Sequence, residues 1–133
     1  MTVIDQLAAE YSRLCGRLGV HRVLNTSPQH DGSPHVEYFG GHYHYVITER
    51  GSEWKRQITS DKEELLFWLL RDVAFELACA FELRNRIEGQ DFRRILFSKE
   101  IELMGQLRPE WGVHARAKIE EVLRRVPYRD EKS

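Results

Sequence analysis

The chain has 133 residues, 41% of them hydrophobic and 31% charged, with 20 Lys and Arg against 21 Asp and Glu for a formal net charge of −1. That length suits one domain built on one core, so residues 1–133 are expected to form a single domain. The near balance of charge lacks the cationic excess that displaces counterions from phosphates, which argues against direct nucleic-acid binding.

The N-terminal segment places Val3, Ile4, Leu7, Ala8, Tyr11, Leu14, Cys15 and Leu18 at helical spacing and then meets Gly16 and Gly19. This predicts an amphipathic helix that frays near Gly19. It has neither the basic start nor the apolar length of a targeting segment, and the longest apolar run in the chain, Leu65 to Leu70, is far below the roughly 20 residues of a bilayer span. A cytoplasmic protein with no membrane partner is the expectation. From Asn25 to Pro34 turn formers dominate and periodicity vanishes, so a loop leads into a sheet.

Gly40-Gly41 and Arg50-Gly51 punctuate three short segments, predicting an antiparallel meander with strands near 35–39, 42–49 and 53–59. Two-residue turns at both sites pair Phe39 with His42, Glu37 with His44 and Val36 with Tyr45, and then Ile47 with Trp54, Tyr45 with Arg56 and Tyr43 with Ile58. One face then collects Val36, Tyr38, Tyr43, Tyr45, Ile47, Trp54 and Ile58 and packs on the core. The other collects His35, Glu37, Phe39, His42, His44, Val46, Thr48, Glu53, Lys55 and Gln57 and faces water or a partner.

Ser60, followed by Asp61-Lys62-Glu63, reads as a capping-box start for a long helix running to about Ile87, apolar on nearly every side and therefore central. Cys15 and Cys79, each within an apolar helical pattern, read as buried reduced thiols. Asp91 is placed to cap a third helix ending near Gly105, and Pro109 suits the first turn of a fourth that stops at Pro127. Arg129 to Ser133 reads as a frayed tail. The fold class is α+β: an N-terminal helix, a three-stranded antiparallel meander, then a long central helix and two further helices packed on one face of the sheet.

Chemistry is sparse in this pattern. The sharpest enzymatic alternative uses Glu37, His42 and His44, two imidazoles and a carboxylate on one sheet face, with His35 as a fourth candidate, since such a triad suits iron or zinc. Alternating His and Tyr is equally what a polar outer face looks like, and that reading is preferred. No phosphate loop, nucleophile elbow or paired cysteines are present. The corner Arg84 to Arg94 gathers four arginines and two acids, a candidate anion clamp. The preferred reading there is an internal network in which Asp91 caps a helix and Arg93 or Arg94 reaches back to Glu88 or Glu49.

The stretch Tyr43 to Gly51, with its Glu49-Arg50-Gly51 turn, followed by Asn85-Arg86-Ile87 and the Asp91-Phe92-Arg93-Arg94 helix start, resembles a family of bacterial polymorphic-toxin immunity proteins. The resemblance runs from about Tyr38 to Pro127. It implies a small α+β cytoplasmic protein, encoded beside a secreted toxin, that neutralises the toxin by docking on it and covering its active site or substrate path. The toxin is often a nuclease. No catalysis and no cofactor are then required. Glu37, Phe39, His42, His44, Glu49 and Glu53 are the expected partner-binding residues. Arg50, Arg86, Asp91, Arg93 and Arg94 are expected to hold the fold by tying the sheet's turn to the helix corner. A generic protein-interaction module is a further alternative.

Overall fold

The computed structural model describes residues 1–131. In chain order these form helix α1 (Val3–Arg17), strands β1 (Asp31–Phe39), β2 (His42–Glu49) and β3 (Ser52–Thr59), and helices α2 (Lys62–Arg84), α3 (Arg93–Leu107) and α4 (Pro109–Arg125). The fold is α+β, with a three-stranded antiparallel sheet in the order β1-β2-β3. The chain divides into two compact units, Met1–Leu70 and the remainder from Arg71 on, with α2 continuing from the first into the second.

In the first unit, α1 begins at a capping box in which the Thr2 hydroxyl accepts from the Asp5 N–H and the Asp5 carboxylate accepts from the Thr2 N–H. Its periodic apolar stripe survives as buried Leu7, Tyr11, Leu14 and Cys15. Gly19 takes the left-handed conformation, with φ of 82°, that ends the helix. Leu65, Leu66, Phe67, Leu69 and Leu70 from the first turns of α2 are buried in the same unit. That helix starts one residue later than the capping box predicts: the Asp61 carboxylate, not Ser60, accepts from the Glu63 N–H at 2.9 Å. Asp61 is itself held by the Thr59 hydroxyl, which accepts its N–H at 3.0 Å.

The β1–β2 register matches expectation, pairing Phe39 with His42, Glu37 with His44 and Val36 with Tyr45. The β2–β3 register does not. Glu49 faces Ser52 and Thr48 faces Glu53, but Ile47 then faces Lys55, Val46 faces Arg56, Tyr45 faces Gln57 and His44 faces Ile58. Trp54 is the extra residue of a bulge, and beyond it the strand presents the opposite side chains to each face. Lys55 and Gln57 therefore share a face with buried Tyr45, whereas Arg56 and Ile58 share one with His44 and Val46. Trp54 and Ile58, expected in the core, stand 69% and 53% exposed.

In the second unit, buried Leu96, Leu103, Met104 and Leu107 of α3 and Trp111, Ala115 and Ile119 of α4 supply the apolar contacts. Helix α2 ends at Arg84, three residues before the expected stop, with the Asn85 side chain donating to the Phe81 carbonyl at 2.9 Å. Helix α3 continues past Gly105, which lies inside it because Gly112 of α4 crosses there. Pro109 occupies the start of α4 as expected. The C-terminal segment departs from the predicted fraying through residue 131, since the Glu131 N–H donates to the Gly89 carbonyl at 2.7 Å. Lys132 and Ser133, also assigned to that tail, lie outside the described residues.

Candidate partner-binding surface

Alternation along regular strands sends His35, Glu37, Phe39, His42, His44, Val46 and Thr48 to one face of the sheet. The bulge at Trp54 adds Arg56 and Ile58 beyond it while Glu53 stays opposite Thr48. Residues three apart on a regular strand lie on opposite faces. Here one extra residue reverses that parity, and Glu53 and Arg56 meet.

Arg56 is the centre of this face. Its Nη2 and Nε donate to the two Glu53 oxygens at 2.7 and 3.1 Å, and its Nη1 donates to Glu37 Oε1 at 3.1 Å and to His44 Nδ1 at 2.9 Å. His35 Nε2 lies 2.8 Å from the other Glu37 oxygen. An ionised carboxylate only accepts, so the imidazole donates there. This hydrogen bond from His35, reinforced by Arg56, holds the Glu37 carboxyl below its ordinary range. The Arg56 fork does the same for Glu53. The two carboxylates in turn raise the Arg56 guanidinium further above its already high value.

The face is not uniformly open. His35, His44, Val46 and Thr48 are buried, whereas Phe39, His42, Glu53 and Ile58 are exposed. Phe39, 56% exposed, stacks on the buried His44 ring at 4.1 Å between centroids. Glu37 and Arg56 are half-buried between these zones. Four of the candidate residues, Glu37, Phe39, His42 and His44, are thus adjacent, with Glu53 joined to them through Arg56. Glu49 stands apart: it alternates with Thr48 onto the other side of the strand, beside the turn where Arg50 adopts φ of 53°.

This geometry bears on the metal alternative. The space between Glu37 and His44 that a cation would occupy is filled by the Arg56 guanidinium, and His42 turns its Nδ1 to the Gly40 carbonyl at 2.9 Å. Among the described residues no group of three or more His, Cys, Asp or Glu is arranged to hold a metal ion. Sequence reasoning missed Arg56, Trp54 and Ile58 because their placement depends on the bulge. The only signal was the Glu53-Arg56 spacing, which a regular strand would waste.

The second unit carries the arginine corner. Arg86 forks onto buried Glu82 at 2.9 and 2.7 Å. Arg93 donates to Asp91 at 2.9 Å and to the carbonyls of Val126 and Pro127 at 2.9 and 2.8 Å. Arg94 forks onto Asp130 and lies 4.2 Å from the Tyr128 ring centroid. Asp91 accepts the N–H groups of Arg93 and Arg129. The Arg93 contact, then these two N–H groups, hold its carboxyl far below the usual range. Arg93 and Arg94 reach the C-terminal segment rather than Glu88 or Glu49 as expected.

Comparison with curated proteins and with solved structures finds no match. A family model described as Immunity protein 63 matches residues 40–121, from the β1–β2 turn into α4. His42, His44, Glu49, Glu53, Arg56 and the whole arginine corner before the C-terminal segment fall within the match, and Glu37 and Phe39 just outside it. Among the described residues no helix is long and apolar enough to cross a membrane. With more than half of its length matched, the chain belongs to the Immunity protein 63 family.

Proposed function

We propose that this chain neutralises a cognate bacterial toxin by direct binding, without catalysis, in the cytoplasm of the cell that makes the toxin. Membership of an immunity family over residues 40–121 is the observation that carries the reading. The contact surface we assign is the open part of the sheet face, where Phe39, His42, Glu53 and Ile58 are exposed and Trp54 stands beside them. Exposed aromatic residues next to a fixed arginine are the composition that dominates protein–protein binding energy. Arg56 offsets one of the two negative charges of Glu37 and Glu53 and holds both carboxylates in place, so the surface offers shape and apolar area more than a row of free phosphate-like charges. A toxin with a strongly basic nuclease cleft is therefore not specially favoured over one with another activity.

Co-expression with the toxin encoded beside this chain's gene tests the reading, scoring growth rescue and co-purification. Rescue with a stable complex is expected. Phe39→Ala or Trp54→Ala is expected to weaken the complex about thirtyfold, the usual effect of truncating an interface anchor, with little change in melting temperature. Failure of the wild-type chain to bind or protect would overturn the proposal.

A further inference from the structure

The two edges of the sheet are treated differently. Along β1, the Val36 N–H donates to the Asn25 carbonyl at 3.0 Å and the Asn25 side chain donates to the Pro34 carbonyl at 3.3 Å, so a preceding segment seals that edge. Because Val36 turns its N–H away from β2, its pair with Tyr45 is one without mutual hydrogen bonds. Tyr45 then bonds Gln57 on its other side, and the neighbouring pairs Val46–Arg56 and His44–Ile58 alternate to the type without mutual bonds. Arg56 and Ile58 thus direct their backbone N–H and C=O groups outward from β3. Among the described residues no backbone hydrogen bond from outside the sheet is made to these groups.

Side chains mark the same edge. Exposed Trp54 and Ile58 flank it on an otherwise polar strand, an exposure that unpartnered edge strands normally avoid. Lys55, on the opposite side, is exposed, its Nζ 5.9 Å from the Tyr45 ring centroid and without an acidic partner among the described residues.

We propose that the β3 edge receives an extended segment of the cognate toxin as a fourth strand, with an acidic side chain facing Lys55 and an apolar one facing Ile58. This rests on the toxin-binding reading above and names how the partner is held: backbone groups of Arg56 and Ile58 supply affinity, and the two flanking side chains supply sequence preference. A second copy of this chain fits less well. The self-paired registers that keep the Arg56 backbone paired within β3, with Arg56 or Ile58 of the second copy, set Gln57 or Thr59, not an acid, against Lys55.

The test is titration calorimetry of the wild-type chain and Ile58→Pro against the toxin domain, together with amide hydrogen exchange on the free chain and the complex. Proline at position 58 removes an outward N–H that makes no internal bond, so the variant is expected to fold. About tenfold weaker binding by Ile58→Pro, with exchange at Arg56 and Ile58 slowed in the wild-type complex, is the expected result. Unchanged affinity and unslowed exchange in a chain that still binds toxin would overturn the strand-addition proposal alone. So would a free dimer in which these amides are already protected. Absence of any wild-type complex would overturn both proposals. Should Ile58→Pro fail to fold, the exchange measurement on the wild-type complex decides by itself.

Discussion

Asp91 Oδ2 accepts the backbone N–H of Arg129 at 2.8 Å, across 38 positions of sequence, while Oδ1 accepts that of Arg93 at 3.0 Å. One carboxylate therefore holds the first N–H of α3, from the residue before the N-cap Phe92 rather than from the cap position expected of it, and anchors the segment that follows α4. Asp130 completes the link from the other side, accepting the Asp91 N–H at 2.8 Å.

Asp91→Ala is accordingly expected to lower the melting temperature by several degrees, on the order expected for a lost helix cap in a domain of this size. The effect depends on pH. The folded carboxyl titrates below its unfolded value of 3.8, so its stabilisation is complete above that value and is lost as pH falls through it toward the folded one. Melting curves of the wild type and Asp91→Ala should keep a constant separation above about pH 5 and draw together only between about pH 4 and pH 2. Parallel curves would mean that the carboxylate contributes nothing through its charge.

The crossing of α3 and α4 gives a sharper pair of substitutions. A Cβ on Gly112 would lie 3.0 Å from the Gly105 Cα, whereas a Cβ on Gly105 would meet the Gly112 Cα at 3.8 Å, an ordinary contact. Gly112→Ala is expected to force the helices apart at a cost of about 1–3 kcal/mol. Gly105→Ala should be neutral or stabilising by up to about 1 kcal/mol, because alanine suits a helix interior better than glycine. Denaturant unfolding of the two variants measures both, and equal effects would contradict the geometry.

Much of this architecture is legible in the sequence because it rests on local chemistry. Gly40-Gly41 fixes the first hairpin and, with it, the pairing of Glu37 with His44 residue by residue. The Gly19, Pro109 and Pro127 punctuation marks helix ends through backbone conformations that apply wherever those residues occur. The bulge at Trp54 has no such marker, since no glycine or proline sits there, and one unsignalled residue moved Arg56 onto the His44 face and left Ile58 exposed. The clasp on residues 129–131 was hidden for a different reason. Arg129, Asp130 and Glu131 have the composition of a solvated tail, and their partners lie 36 to 42 positions away.

Glu100 is buried at 2% exposure in α3, with Arg71 Nε at 3.4 Å as a long ion-pair contact. Burial pushes its carboxyl above the ordinary range, and Arg71 only partly opposes this. A folded value above the unfolded one means that ionisation is penalised in the native state: the penalty is absent at acid pH and grows as pH rises through the usual carboxylate range. Glu100→Gln should therefore melt higher than the wild type at neutral pH and match it near about pH 4. A variant less stable than the wild type at neutral pH would show that the Arg71 contact outweighs the burial.

Arg56 pairs with two carboxylates whose dependence on it differs. For Glu53 the Arg56 fork is the main cause of its lowered carboxyl, whereas for Glu37 the leading cause is His35. Arg56→Met is therefore expected to return Glu53 to the ordinary glutamate range while Glu37 stays depressed, as read from carbon-detected NMR titration of the two side chains. Arg56→Lys should fall between the wild type and Arg56→Met at Glu53, because a single ammonium keeps the charge but cannot reproduce the planar two-point fork and still reach Glu37 and His44. Stability should fall most in Arg56→Met at neutral pH, where Glu37 and Glu53 are charged and lack the intervening cation, and less in Arg56→Lys, which keeps the charge but loses the fork. If Glu37 and Glu53 instead rose together in Arg56→Met, the His35 contact would not be an independent support, and the face would depend on Arg56 alone.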